Sequence, residues 1–406
     1  MPLQTDLREV VFALSDALDL VGIDDVAHGK RVGLMAAACA RTLGLGQAEA
    51  DLLLELGLLH DLGVSSTEVH ERLLSEFEWA DSQMHADLGA DLLASFAPLA
   101  HLAVPIRFHH TRWDRLPGGL DPAEARRANL IFLAARVDAL AAATLRAGAL
   151  LPRTEAIRNT IRRHAGTAFA PSLVGAFLEA SAPEAFWLGL EGRSLHRSLG
   201  EALARREPRG LSLAELRQLA LLFAHIVDAK SPFTAEHSAG VGRLARHLGF
   251  RLGLAPETCA ALEVAGLLHD LGKLRVPDAI LDKPADLTAA ERQSIHAHSF
   301  ETWRILSPIP GLEAVAHWAS AHHEEPDGSG YPFRLKEAET PLEARILRVA
   351  DIVQAMAQDR PYRRALGLAA IGRFLADLAA RHRVDPGVAA LILADLPGTV
   401  AVAQAP

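Results

Sequence analysis

The residues best equipped for chemistry in this chain are its histidines. Nineteen occur in 406 residues, many inside apolar helical patterns where an unsatisfied imidazole would be costly. In the C-terminal half the candidates are His237, His269, Asp270, His298, His322, His323 and Asp351. Five imidazoles and two carboxylates drawn into one core leave many polar groups to satisfy, and a metal centre satisfies them together. Imidazole with carboxylate and no thiolate suits iron, manganese, zinc, cobalt or nickel. Seven donors exceed what one water-accessible ion needs, so two divalent ions are implied. An Asp directly after a His, as in His269-Asp270, can bridge them. Two ions ~3.5–4 Å apart can hold a hydroxide nucleophile and grip phosphoryl oxygens during in-line displacement.

The same set occurs twice. Gly57–Gly63 (GLLHDLG) recurs as Gly266–Gly272. His28 precedes His60 by 60 − 28 = 32 residues, and His237 precedes His269 by 269 − 237 = 32. His85 precedes His109-His110 by 109 − 85 = 24, and His298 precedes His322-His323 by 322 − 298 = 24. Asp138 then follows His110, and Asp351 follows His323, by 28 residues each. A second metal site is therefore expected at His28, His60, Asp61, His85, His109, His110 and Asp138. The expected organisation is an N-terminal domain over 1–181, a linker over 182–212 ending in the polar RREPRG stretch, and a C-terminal domain over 213–406.

The elements that must hold these side chains are helices. Ala and Leu dominate, and strand-like alternation is nowhere sustained, so each copy is expected to be an all-α bundle. Thr234 is a plausible N-cap for a helix ending at Gly253, and Pro256 opens the next, which Gly272 stops. Asp286-Leu287-Thr288 opens a further helix running to Leu306 with His298 inside it.

His237…His269-Asp270-Leu271-Gly272-Lys273…His298…His322-His323…Asp351 resembles the HD superfamily of metal-dependent phosphohydrolases. His322-His323-Glu324…Asp327-Gly328-Ser329-Gly330-Tyr331-Pro332, followed by Asp359-Arg360-Pro361-Tyr362-Arg363, resembles the HD-GYP subfamily over nearly all of 225–395. The resemblance implies one ion on His237, His269, Asp270 and Asp351, and a second on bridging Asp270, His298, His322 and His323, with iron or manganese the expected metal. It implies that Asp270 and Lys273 serve catalysis, Lys273 at a phosphate oxygen or the leaving group. Gly330, Tyr331, Arg360 and Arg363 would contact substrate. The implied reaction is hydrolysis of cyclic di-GMP to pGpG and onward to GMP, with cyclic GMP-AMP a related substrate. Phe233 stands where some members place a third-metal Glu, so two ions are expected. A degenerate receptor that binds the dinucleotide without cleaving it is the competing reading.

The first copy keeps every donor but not the substrate apparatus. Val64 replaces Lys273, Arg115–Gly119 replaces the GSGYP stretch, and Ala147 and Leu150 replace the two arginines. Its Asp24 sits where the third-metal Glu falls in some members. A net charge of −9 argues against a nucleic-acid polymer or an anionic membrane as partner. Two cysteines, Cys39 and Cys259, build no disulfide framework. No signal peptide or membrane span is read, and a cytoplasmic protein is expected, with a homodimer left open.

Overall fold

Apolar residues at helical spacing fold as helices throughout the computed structural model, which describes residues 5–22, 27–77, 79–146, 148, 150–205, 207–230, 236–359 and 364–405. Among them every regular element is an α- or 3₁₀-helix, and β pairing is confined to isolated bridges. The all-α expectation holds. The chain divides into an N-terminal unit, Leu14–Pro208, and a C-terminal unit, Arg209–Pro406 with Met1–Ala13.

Five helices in each unit carry the histidine set, in the same order. In the N-terminal unit they are α1 (His28–Thr42), α2 (Gly46–Leu59), α3 (Gln83–Ala94), α4 (Ala103–Phe108) and α5 (Pro122–Arg146). In the C-terminal unit they are α6 (His237–Arg251), α7 (Pro256–Leu268), α8 (Ala289–Leu306), α9 (Glu313–Ser320) and α10 (Leu342–Ala357). α6 and α7 cross with their backbones almost touching. A Cβ added to Gly266 would lie 2.6 Å from the Gly242 Cα, and one added to Gly57 would lie 2.2 Å from the Gly33 Cα. This crossing brings the start of one helix beside the end of the next, where His237 and His269 (or His28 and His60) reside.

The helix starts show what short-range reading misses. Thr234 lies outside the described residues, and α6 begins at His237 without a side-chain cap of its own. Instead Asp228 accepts from the Ser238 N–H at 3.0 Å and from its hydroxyl at 2.8 Å. Asp19 does the same for α1, accepting from the Ala27 and Gly29 N–H groups at 2.9 and 3.2 Å. A carboxylate on another helix thus satisfies the orphan donors that lead into the first histidine. Elsewhere the expected punctuation stands: Gly253 has a φ of 76° after α6, and Thr288 closes a capping box with Glu291 before α8.

One expectation is corrected. The stretch 182–212 is largely helical, with segments at Glu184–Leu188 and Gly192–Ala204. Trp187, Leu190, Leu195 and Leu199 are buried, so this apolar stripe belongs to the N-terminal unit's core rather than to a polar linker. Pro122–Leu145 is apolar and long enough to cross a membrane by composition, and 72% of that window is buried inside the unit.

Candidate metal centre

The C-terminal set converges from five elements. His237 opens α6, His269-Asp270 follow α7, His298 lies within α8, His322-His323 follow α9, and Asp351 sits in α10. Asp270 lies between two groups of donors. Its Oδ2 is 3.2 Å from His269 Nε2 and 4.0 Å from His237 Nε2. Its Oδ1 is 3.4 Å from His298 Nε2 and 3.9 Å from His322 Nε2. Asp351 Oδ1 faces the first group, 3.2 Å from His237 Nε2 and 4.0 Å from His269 Nε2. The donor atoms of His237, His269 and Asp351 lie within 4.8 Å of one another, as do those of His298, His322 and His323.

The backbone sets which ring nitrogen is offered. Nδ1 of His269, His298 and His322 lies 2.7, 2.6 and 2.6 Å from the carbonyls of Gly266, Ile295 and Ala319. A carbonyl only accepts, so each Nδ1 carries the proton and each Nε2 points bare into the cluster. Burial pushes His298 down to about 4, and burial with neighbouring imidazoles holds His322 and His323 well below the usual range. Neutral imidazole is the form that ligates a metal. Burial works against the charged carboxylates, yet His269 and Lys273 hold Asp270, and His237 holds Asp351, well below the ordinary carboxylate range. Burial also opposes a charge on His269, but the Asp270 carboxylate outweighs it and raises that imidazole. Asp270 Oδ1 is buried with no hydrogen-bond partner. Bare Nε2 atoms, ionised carboxylates and an orphaned buried oxygen together fit divalent ions of the nitrogen- and oxygen-binding kind.

The surrounding groups are held as firmly. Lys273, in the 3₁₀ turn after Asp270, places its Nζ 2.5 Å from Asp270 Oδ2. The Gly330–Pro332 loop folds back on the second donor group. A Cβ on Gly330 would fall 2.4 Å from the Glu325 nitrogen and 2.6 Å from the His323 carbonyl oxygen, so no larger residue fits there. The Tyr331 ring stacks 3.8 Å from His296 at an interplanar angle of 7°, with His323 at 4.7 Å on a 28° tilt. Glu324 ties down the loop's exit by accepting from the Phe333 and Leu335 N–H groups at 2.7 and 2.9 Å. Glu325 Oε1 accepts from Arg348 at 2.8 Å and Arg383 at 2.7 Å. The sequence assigns Glu324 no role and does not single out His296, Glu325 or Arg348. The acidic pair directly after His322-His323 was the available signal. Arg360, Arg363, Phe233 and Asp24 lie outside the described residues.

The N-terminal set repeats half of this geometry. Asp61 Oδ2 is 3.3 Å from His60 Nε2 and 3.6 Å from His28 Nε2, while Oδ1 is 3.6 Å from His85 Nε2 and 3.8 Å from His109 Nε2. Buried nitrogens of His85, His109 and His110 lack hydrogen-bond partners. Asp138 is held differently from Asp351. Its Oδ1 accepts from Arg31 Nε at 2.6 Å, and its Oδ2 from Arg31 Nη2 at 2.9 Å. That Oδ2 also lies 2.7 Å from His28 Nδ1, on the ring edge away from Asp61. Val64 and Leu150 are buried apolar residues. A cavity of about 380 Å³ runs beside His110, lined in part by Phe77, Trp79, Arg112, Arg115 and Arg136.

Comparison with known proteins agrees with this duplication. Family models described as HD domain match residues 26–143 and 222–388. A 3′3′-cGAMP-specific phosphodiesterase of Vibrio cholerae is 38% identical over 94% of this chain and 89% of its own length. A cyclic di-GMP phosphodiesterase of Thermotoga maritima is 40% identical over 32% of this chain and 36% of its own length. The crystal structure of a cyclic GMP-AMP-specific phosphodiesterase of Vibrio cholerae superposes with a TM-score of 0.66 at 25% identity, covering 97% of this chain and 98% of that one.

Proposed function

The chain belongs to the HD-domain family in its HD-GYP form, with two HD domains, and on that premise we propose that its C-terminal unit hydrolyses a 3′3′-cyclic dinucleotide, with cyclic GMP-AMP as substrate. The observation that carries the reading is the Asp270 carboxylate set between two histidine groups beside Lys273 and Tyr331. The choice of substrate is supported by the relative that matches both halves of the chain.

In this reading His237, His269, Asp270 and Asp351 would hold one ion, and Asp270, His298, His322 and His323 would hold the other. When bound, such a pair would supply Lewis-acid polarisation of the phosphoryl oxygens and a water acidic enough to attack at neutral pH. The remaining roles belong to the chain. Lys273 provides a compact cation that can leave Asp270 for a phosphate oxygen or for the departing 3′ oxygen. Tyr331, clamped between His296 and His323, walls the side where a base or ribose lies. Water oxygen joins phosphorus as the bond to the 3′ oxygen breaks and that oxygen takes a proton. The product is a linear dinucleotide with a 5′ phosphate.

The test is turnover of cyclic GMP-AMP by protein prepared anaerobically with Mn²⁺ or Fe²⁺, with cyclic di-GMP alongside. Preferential opening of cyclic GMP-AMP supports the reading. Preferential opening of cyclic di-GMP supports the second reading, which the shorter Thermotoga maritima match favours. Binding of either without hydrolysis would identify a receptor.

A further inference from the structure

The two units differ at one pair of neighbouring positions, and the difference bears on how many ions each holds. Three residues after the first histidine stands Arg31 in one copy and Gly240 in the other. Three residues after the last aspartate stands Ala141 in the first copy and Gln354 in the second. In the C-terminal unit Gln354 fills the space over Gly240: a Cβ there would fall 2.2 Å from the Gln354 Nε2. In the N-terminal unit the small residue and the large one have changed places. Arg31, 6% exposed, forks onto both oxygens of the fully buried Asp138.

The exchange changes what the last aspartate can do. Asp351 turns an oxygen toward the Nε2 atoms of His237 and His269, the nitrogens that face the bridging aspartate. Asp138 instead meets His28 at Nδ1 through Oδ2, while the Arg31 guanidinium donates to both of its oxygens. The first position keeps His28, His60 and a share of Asp61, whose donor atoms still lie within 4.8 Å of one another, with one carboxylate fewer than its counterpart among the described residues. A fixed positive charge has also been added beside it. Among the described residues Asp61 is then the one carboxylate shared by the two positions, which raises the Coulomb cost of a second dication. The other position is intact: donor atoms of Asp61, His85, His109 and His110 lie within 4.8 Å of one another. Buried nitrogens of its three histidines have no hydrogen-bond partner.

We infer that the N-terminal unit is a one-ion site on Asp61, His85, His109 and His110, the neighbouring position having been given up when Arg31 took Asp138. The full chain then carries three divalent ions, two in the C-terminal unit and one in the N-terminal unit. This count stands apart from the choice of substrate: three ions without turnover would sink the proposed function and leave this inference intact.

The experiment is a metal count on the full chain, stripped with chelator and reloaded with Mn²⁺, together with its electron paramagnetic resonance spectrum. Wild type should hold three ions, and His110→Ala or, should that variant not fold, His85→Gln should hold two. Asp270→Ala, which removes the C-terminal bridge, should leave one Mn²⁺ with the six-line signal of an isolated ion. The paired exchange Arg31→Gly with Ala141→Gln frees Asp138 and should restore a fourth ion. Four ions in wild type, or a spin-coupled pair remaining in Asp270→Ala, would overturn the inference. So would a His110→Ala count equal to that of wild type. A folded Arg31→Gly/Ala141→Gln chain still holding three would show that Arg31 is not what closes the position.

Discussion

Each unit places a carboxylate between two groups of imidazoles, yet the surroundings differ in charge and shape. After His323, the C-terminal unit has an acidic pair: Glu324 anchors the exit of the Gly330–Pro332 loop through backbone N–H groups, and Glu325 pairs with two arginines. Directly after its own histidine pair the N-terminal unit has Thr111 and Arg112 instead, and Arg112 and Arg115 line a cavity with Phe77 and Trp79. The lesson is that the donor set and the substrate apparatus are separable. Histidines on helix ends can persist by duplication, while the loops between them are free to change sign and length.

The sharpest way to break this comparison is to remove the central carboxylate from each side in turn. Asp270→Ala or His269→Ala should cost more than about a thousandfold in turnover, because the donors act as a unit. Asp61→Ala should cost the C-terminal reaction far less, and equal losses in steady-state rate would show that the units do not divide the work. Lys273→Ala should retain the C-terminal ions but slow hydrolysis by about 10²–10³-fold, the size of one lost charge-stabilising donor. A wild-type rate would restrict Lys273 to pairing with Asp270. Gly330→Ala drives a methyl into the Glu325 and His323 backbone and should cost about 10²-fold through misplacement of Tyr331. Gly118→Ala, in the N-terminal unit's replacement loop, meets nothing within 4 Å and should leave the rate unchanged.

Smaller effects test the scaffold. Glu325→Gln leaves the buried Arg348 short of its charge partner and should destabilise the C-terminal unit by about 3 kcal/mol in urea unfolding. Asp228→Ala removes the cap on Ser238 and should cost about 1 kcal/mol, with Asp19→Ala giving a similar loss in the other unit. A much larger loss for either would mean that the cap also governs the adjoining histidine.

Much of the fold and of the donor set is legible in the sequence. The donor residues are sparse, costly to bury and repeated at fixed intervals, so their spacing alone marks two copies, and Ala-Leu patterning marks helices. The HD and GYP motifs identify the family because they are local strings. What could not be read is whatever depends on residues distant in the chain sharing one volume. Asp138 matches Asp351 in type and spacing, yet Arg31, 107 positions away, pairs with it. Asp228 caps α6 from ten residues upstream, and the stripe at Trp187–Leu199 packs where composition suggested a linker. Residue types and intervals determine which groups are available for chemistry. Only packing decides which way each one turns, because a carboxylate goes to the nearest cation or donor the folded chain supplies.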